Sequence, residues 1–231
     1  MTEEHRSLRK AFCLANRNTD WSKVIFSDEC SIEKGTGKKR TWIWGDPKQK
    51  WDHQLIETFP KGKQACVMVW GGICLQGLCG IRSPLVMMKR DLTAKRNGYS
   101  AWSYTEAMQE GLLPIYRRSL RFMQDNASIH TAGVVAIWLR DHFIPQLLNW
   151  PPYSPDLNPI EHLWARLKEM IYERHPELDS IRSKVEQERI PTEVLPSCWK
   201  AIQPSIIESL VNSIPARIKA CIHANGWQTR Y

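Results

Sequence analysis

Pro151, Pro152, Pro155 and Pro159 crowd into nine residues, and this cluster constrains the chain more than any other feature. Each proline holds φ near about −65° and removes a hydrogen-bond donor, so the segment can be neither a central strand nor the middle of a helix. It opens the stretch Trp150 to Glu173, WPPYSPDLNPIEHLWARLKEMIYE. A helix is expected to follow directly. Asn158 is a good N-cap, and Pro159 suits the first helical position, where its missing N–H is no loss. Ile160, Leu163, Trp164, Leu167 and Ile171 then form one apolar stripe at helical spacing. Glu161 lies beside that stripe on the first turn, where a stiff entry can aim its carboxylate. It also falls three residues after Asn158, where a glutamate can close a capping box and favour the helix dipole. This segment alone leaves both roles open.

The chain has 231 residues, enough for one sizeable core or at most two small domains. Its 42% hydrophobic and 24% charged residues suit a globular protein. Lys and Arg number 32 against 24 Asp and Glu, a net +8, which makes an anionic partner such as nucleic acid the first expectation. The seven cysteines are odd in number, form no CxxC pair and do not stand near a histidine at zinc-ligand spacing. Reduced thiols in an intracellular compartment are expected. No apolar run is long enough to span a bilayer, and the charged N-terminus lacks the apolar core of a signal peptide.

Along the chain, residues 3–17 read as a helix with Leu8, Phe12 and Ala15 on one side. Val24 to Ile32 alternates as a strand. Val24, Phe26, Asp28, Cys30 and Ile32 share one face, and Glu29 belongs to the other, where it is expected to be solvated. Asp28 therefore interrupts an apolar face. A carboxylate there needs a cation, a hydrogen-bond network or a metal. A turn at Gly35–Gly37 and a returning strand at 41–44 would make 23–45 a hairpin, followed by a loop over 46–62. Residues 65–75 read as a strand in which Gly71-Gly72 suggests a bulge or a close backbone approach. Another strand is expected over 78–88, with Pro84 near an edge.

From Ser100 the period becomes helical, with Tyr104, Ala107, Met108, Gly111 and Leu112 as the stripe and Pro114 as its end. Residues 120–124 read as a strand running into Asp125-Asn126. A helix over 132–142 capped by Thr131 and a short strand over 143–150 then lead to the prolines. Helices over 178–188, 194–202 and 206–224 complete the chain, the last kinked or split at Pro215. The order predicts an α/β fold of the ribonuclease H-like (retroviral integrase-like) type. Its mixed sheet begins antiparallel, ends parallel and is flanked by helices, with a helical C-terminal extension. The expected partition is a helical lead-in over 1–20, a ribonuclease H-like domain over 21–175 and the extension over 176–231.

Asp28, Asp125 and Glu161 thus stand mid-strand, at a strand tip and on a first helical turn. Ligands of open α/β sheets gather beyond the carboxyl ends of strands. Three oxygen donors converging there suit Mg²⁺ or Mn²⁺, and two such ions can clamp both oxygens of an in-line displacement at phosphorus. An ordinary Asx turn also accounts for Asp125 by itself.

VIFSDECSIEKG, MVWGGI, MQDNASIH and WPPYSPDLNPIEHLWARLK resemble successive blocks of the mariner-like (Tc-type) DDE transposases. The closing IPARIKACIHANGWQTRY resembles the end of that family, so the likeness runs from about Arg9 to the C-terminus. The resemblance implies a ribonuclease H-like fold with Asp28, Asp125 and Glu161 as the catalytic acids. It implies that they hold two Mg²⁺ or Mn²⁺ ions, Asp28 shared by both, with no small-molecule cofactor. The implied activity is phosphodiester hydrolysis and strand transfer in cut-and-paste DNA transposition. Transposon ends and target DNA are the implied partners, a homodimer on paired ends the assembly, and the nucleus the place; no membrane is involved.

The separation of 36 positions between Asp125 and Glu161 is one longer than the commonest family spacing. The family's two N-terminal helix-turn-helix modules are not found in this sequence, so non-autonomous action is expected. A catalytically silent, transposon-derived DNA-binding or regulatory protein is the alternative, and a host nuclease on the same fold a third reading. Asn126 and His130, which flank Asp125, and Asn158 and His162, which flank Glu161, are candidates for orienting the carboxylates. Lys38, Lys39 and Arg40, Arg117 and Arg118 with Arg121, and Lys89 with Arg90 are candidates for following a phosphate backbone. Trp42 and Trp44 suit either base stacking or the core.

Overall fold

A computed structural model describes residues 1–33, 66–94, 98–181 and 183–231. The expected hairpin turn and returning strand, Trp42 and Trp44, the loop over 46–62 and the basic residues Lys38, Lys39 and Arg40 lie outside the described residues.

Strand β1 (Val24–Glu33) is central. Its antiparallel partner among the described residues is β2 (Cys66–Gln76), in a register that sets Asp28 opposite Gly71. β3 (Cys79–Arg82) and β4 (Val86–Met87) both pair antiparallel with β2. On its other side β1 takes β5 (Arg121–Met123) in parallel, with Ile25 beside Phe122. The order β3-β2-β1-β5 is the expected mixed sheet, antiparallel first and parallel last.

Two expected strands differ. The run over 78–88 breaks at residues 83–85, because Pro84 cannot donate to a ladder. Ser83 Oγ accepts the Gly72 N–H there, and the Ser83 carbonyl accepts the Trp199 indole N–H. The run over 143–150 makes only a single bridge, Gln146 to Phe122. Phe143 (φ 55°) and Asn149 (φ 61°) are left-handed, which ends an extended chain at both sides of that bridge.

Helices cover both faces of the sheet. Val24, Phe26, Cys30 and Ile32 face a core shared with α4 (Ile160–Arg174) and α5 (Lys184–Ala201). Ile25, Trp70 and Phe122 face a second core with α2 (Ala101–Ile115) and α3 (Gly133–Asp141). The face expected to leave Glu29 solvated is therefore covered. Gly71 proves to be a close approach rather than a bulge. A Cβ there would stand 2.8 Å from Trp164 Cη2, so the bare strand lets α4 press against the backbone opposite Asp28.

The remaining helices show how burial overrides local signals. α1 (Glu3–Ala15) buries Arg9, Phe12 and Cys13, while Leu8 and Ala15 are exposed. The inward stripe at i, i+3 and i+4 begins with an arginine, which the apolar pattern could not include. α3 starts after Ala132 without a side-chain cap; Thr131 instead donates to the Ala127 carbonyl. α5 runs unbroken through Pro191 and Pro196, held by burial of Leu195, Cys198 and Trp199, where two separate helices were expected. α6 (Pro204–Asn212) and α7 (Ile214–His223) divide just before Pro215, as expected. α6 packs on β2 and β3, and α7 packs on α1.

Candidate active site

Asp28 lies on β1, Asp125 two residues beyond the end of β5, and Glu161 on the first turn of α4. Because β1 and β5 run parallel, both aspartates belong to the same end of the sheet. All three carboxylates line one cleft of about 530 Å³, together with Asn126, Asn158 and the proline-rich segment from Trp150 to Pro155.

The two aspartates are supported differently. Asp28 Oδ1 accepts the Glu29 backbone N–H at 2.8 Å. Burial pushes its carboxyl up to about 8, and the charges of Glu29, Glu161 and Asp125 push the same way. Asp125 accepts the Ala127 N–H at 2.9 Å and a 2.6 Å hydrogen bond from His130 Nδ1. The His130 bond, helped by the Ala127 N–H, outweighs burial and holds Asp125 below the usual carboxylate range. The Asx turn and the cleft position therefore coexist.

His130 is buried, its side chain only 3% exposed, and its Nε2 stands 3.2 Å from Glu29 Oε1. Burial disfavours its charge, but Asp125 and Glu29 outweigh that and raise its pKa to about 9. At neutral pH it is an imidazolium held between two carboxylates. The Tyr104 ring lies against it with centroids 4.1 Å apart. The Tyr104 hydroxyl donates to Gln124, whose amide donates to the His130 carbonyl. Glu29, at 17% exposure, thus braces a histidine instead of meeting solvent.

Glu161 does not close a capping box: the Asn158 N–H it would accept is donated to the Pro155 carbonyl. Asn158 has two other tasks. Its Oδ1 accepts the Ile160 N–H at 3.4 Å, and its Nδ2 donates to the Ser27 carbonyl, next to Asp28. Asn126 Nδ2 donates to the Trp150 carbonyl at 2.6 Å, tying the Asp125 turn to the start of the proline segment. Both asparagines thus join the segments that carry the acids.

Other candidates lie elsewhere. His162 is exposed and does not line the cleft. Arg117, Arg118 and Arg121 sit before or at the start of β5, at the opposite end of the strand from Asp125. Lys89 pairs with Glu110, and Arg90 lies over Tyr99. Sequence reasoning missed Glu29 as a brace. It also missed Arg9 and Asp156, which form a buried ion pair at 2.7 Å behind the cleft. An arginine at helical spacing with Phe12 and Cys13 was the available signal.

The donor set suits a hard divalent cation, since it consists of carboxylates with amides nearby. Among the described residues no three His, Cys, Asp or Glu side chains are grouped to hold one ion. Asp28, Asp125 and Glu161 are the acids of the cleft that could hold such ions. The concentration of negative charge around half-buried Asp28 is the imbalance that cations would relieve.

The profile of the DDE superfamily endonuclease family matches residues 90–182. The Tcb1 transposase of Caenorhabditis briggsae is 30% identical over 216 residues, covering 92% of this chain and 71% of that protein. The chain belongs to the Tc1/mariner-type DDE transposases. The Tc1 transposase of Caenorhabditis elegans is 29% identical over 234 residues, covering all of this chain and 80% of the relative. The Mos1 transposase catalytic domain, solved with raltegravir and Mg, superposes with a TM-score of 0.60 at 20% identity, covering 100% of this chain and 99% of that one. In the Mos1 paired-end complex with the left transposon end the TM-score is 0.63 at 21% identity, and this chain, 98% covered, spans 63% of that transposase chain. The fold is therefore ribonuclease H-like. As a DDE transposase, the chain is a phosphoryl-transferring enzyme of cut-and-paste transposition.

Proposed function

We propose that Asp28, Asp125 and Glu161 are the catalytic acids of this transposase domain and that they hold two Mg²⁺ or Mn²⁺ ions. One observation carries the assignment: acids from three separate segments line one cleft, with Asp28 half-buried there among like charges. The ions, when bound, lower the pKa of the attacking water and offset charge on the phosphodiester oxygens. The protein's part is placement. His130 and the Ala127 N–H hold the Asp125 carboxylate, Asn126 and Asn158 fasten the proline segment to the sheet, and Trp164 seats the Glu161 helix. No covalent protein–DNA intermediate is required. The released DNA 3′-OH is the nucleophile for strand transfer.

The substrates on this reading are transposon ends and target DNA, in keeping with the net charge of +8. A homodimer on paired ends and action in the nucleus complete the proposal. No described helix is long and apolar enough to cross a membrane. Residues 21–175 would form the catalytic domain, with 1–20 and 176–231 packed on it. The test is nicking of supercoiled plasmid DNA with Mg²⁺ or Mn²⁺. The wild type is expected to nick only with metal, and Asp125→Ala not at all. DNA retention without nicking by the wild type would favour the silent, DNA-binding alternative.

A further inference from the structure

The proline-rich segment that carries Glu161 into the cleft has little regular structure of its own, only one 3₁₀ turn at Pro155–Leu157. Behind it sits Arg9, fully buried on α1. The guanidinium makes a two-pronged contact with Asp156, Nη1 to Oδ1 at 2.8 Å and Nη2 to Oδ2 at 2.7 Å. Nη1 also donates to the Tyr153 carbonyl at 3.0 Å and to Ser154 Oγ at 2.8 Å. Nε donates to the Gly226 carbonyl at 2.8 Å, and Nη2 to the Trp227 carbonyl at 3.3 Å. Asp156 Oδ2 accepts both the N–H and the hydroxyl of Thr229 at 2.9 Å. Arg217 on α7 donates to the Asp156 carbonyl at 2.8 Å. The first helix, the last helix and the chain's final residues therefore close on one point of the segment, five residues before Glu161.

Stability alone does not call for this arrangement. Buried ion pairs can often be replaced by packed apolar residues without loss, so burial of this pair is not by itself an argument for stability. A two-pronged arginine–carboxylate contact fixes direction as well as distance. The segment's other fastenings, Asn126 to the Trp150 carbonyl and Asn158 to the Ser27 carbonyl, run to the neighbours of Asp125 and Asp28. Arg9 supplies a further anchor, from α1. We propose that the Arg9–Asp156 clasp is a positioning device that sets where the Glu161 carboxylate stands relative to Asp28, and thereby the affinity of one of the two cation sites. This rests on the metal-holding role of the three acids.

The test measures Mn²⁺ uptake by the full chain, reading free Mn²⁺ by electron paramagnetic resonance, with thermal melts and near-ultraviolet circular dichroism on the same samples. Asp156→Asn keeps the shape and removes the charge. It is expected to weaken one Mn²⁺ site about tenfold and leave the other unchanged. Glu161→Gln is expected to weaken the same site, and adding Asp156→Asn to Glu161→Gln to change nothing further. A purely structural clasp would shift the melt and spare Mn²⁺ uptake, or would act equally in both backgrounds; either result overturns the proposal. Should Asp156→Asn lose its cooperative melt, Thr229→Val removes a single hydroxyl bond to Asp156, and about threefold weaker uptake at the same site is expected. Unchanged uptake in a folded Thr229→Val would then overturn it. If the wild type takes up no Mn²⁺, the metal-holding reading itself fails and the clasp proposal with it. If the wild type binds and Asp156→Asn binds identically, only the clasp proposal falls.

Discussion

Asp28 and Asp125 face one cleft from neighbouring parallel strands, yet their surroundings act on them in opposite directions. Asp28 has one backbone donor and three acidic neighbours, and burial raises its pKa to about 8. Asp125 has a backbone donor and a buried imidazolium, itself braced by Glu29, and its pKa is lowered. The difference separates two ways of building a cation site. Asp125 is held as a carboxylate before any ion arrives. On the proposed metal-holding reading, a cation would offset the burial and like charges that disfavour the Asp28 anion.

The largest expected effect pairs the two positions. Asp28→Asn and Asp125→Asn should each lower metal-dependent nicking by about 10³-fold or more, since each removes an oxygen donor from ions that supply several kcal/mol. Their metal-free stabilities should move apart. Asp28→Asn removes an uncompensated, half-buried charge and should raise stability at pH 9 by about 1–2 kcal/mol, whereas Asp125→Asn leaves the His130 imidazolium short of a partner and should lower stability at pH 7, where that histidine is charged, by a similar amount. Urea titrations without metal read both, and shifts of the same sign would break the comparison.

Next in size, His130→Ala should cost about 10–100-fold in nicking by releasing Asp125. A metal titration of the rate tests whether the loss lies in ion binding. An unchanged half-saturating metal concentration would show that Asp125 needs no brace.

The pH dependence sharpens the contrast further. Asp28 has a folded pKa near 8, above its unfolded value, so its contribution to metal-free stability is full below the unfolded pKa and is lost as pH rises through about 8. Asp156 behaves in the opposite sense. Burial opposes its charge, but Arg9 and Thr229 outweigh that and lower its pKa, so its contribution is present above the unfolded value and lost on acidification. Mn²⁺ binding should therefore tighten as pH rises toward 8 and release up to about one proton, measurable by calorimetry in two buffers of different ionisation enthalpy. Proton release that persists in Asp28→Asn would assign it to another group.

The smallest effect belongs to the far end of β5. Arg117→Gln with Arg118→Gln should change nicking by less than about twofold at low salt while slightly flattening the salt dependence of DNA binding. A larger loss of nicking would place the DNA path across that end of the sheet.

Much of this site is legible in residue order alone. The apolar stripe from Ile160 to Ile171 is buried as its period required, and Asp28 lies where strand alternation put an acid out of place. What misled was the assumption that the second face of β1 met solvent. That face packs against α2 and α3, and only with those helices in place does Glu29 meet His130. Leu8 and Ala15 misled for a related reason: α1 turns its arginine inward because the partner that accepts the charge stands 147 residues away.

Short-range pattern in the chain established the family, the elements that carry Asp28, Asp125 and Glu161, and the stiff entry to the Glu161 helix. Those properties are written in periodicity, proline placement and contiguous blocks. Which polar groups compensate one another was settled only by folding in three dimensions: His130 between Asp125 and Glu29, Asn158 on Ser27, Arg9 on Asp156. A hydrogen bond between distant residues leaves no period in the chain, and its partner is chosen only when the packed layers exclude water and leave each buried charge one place to go.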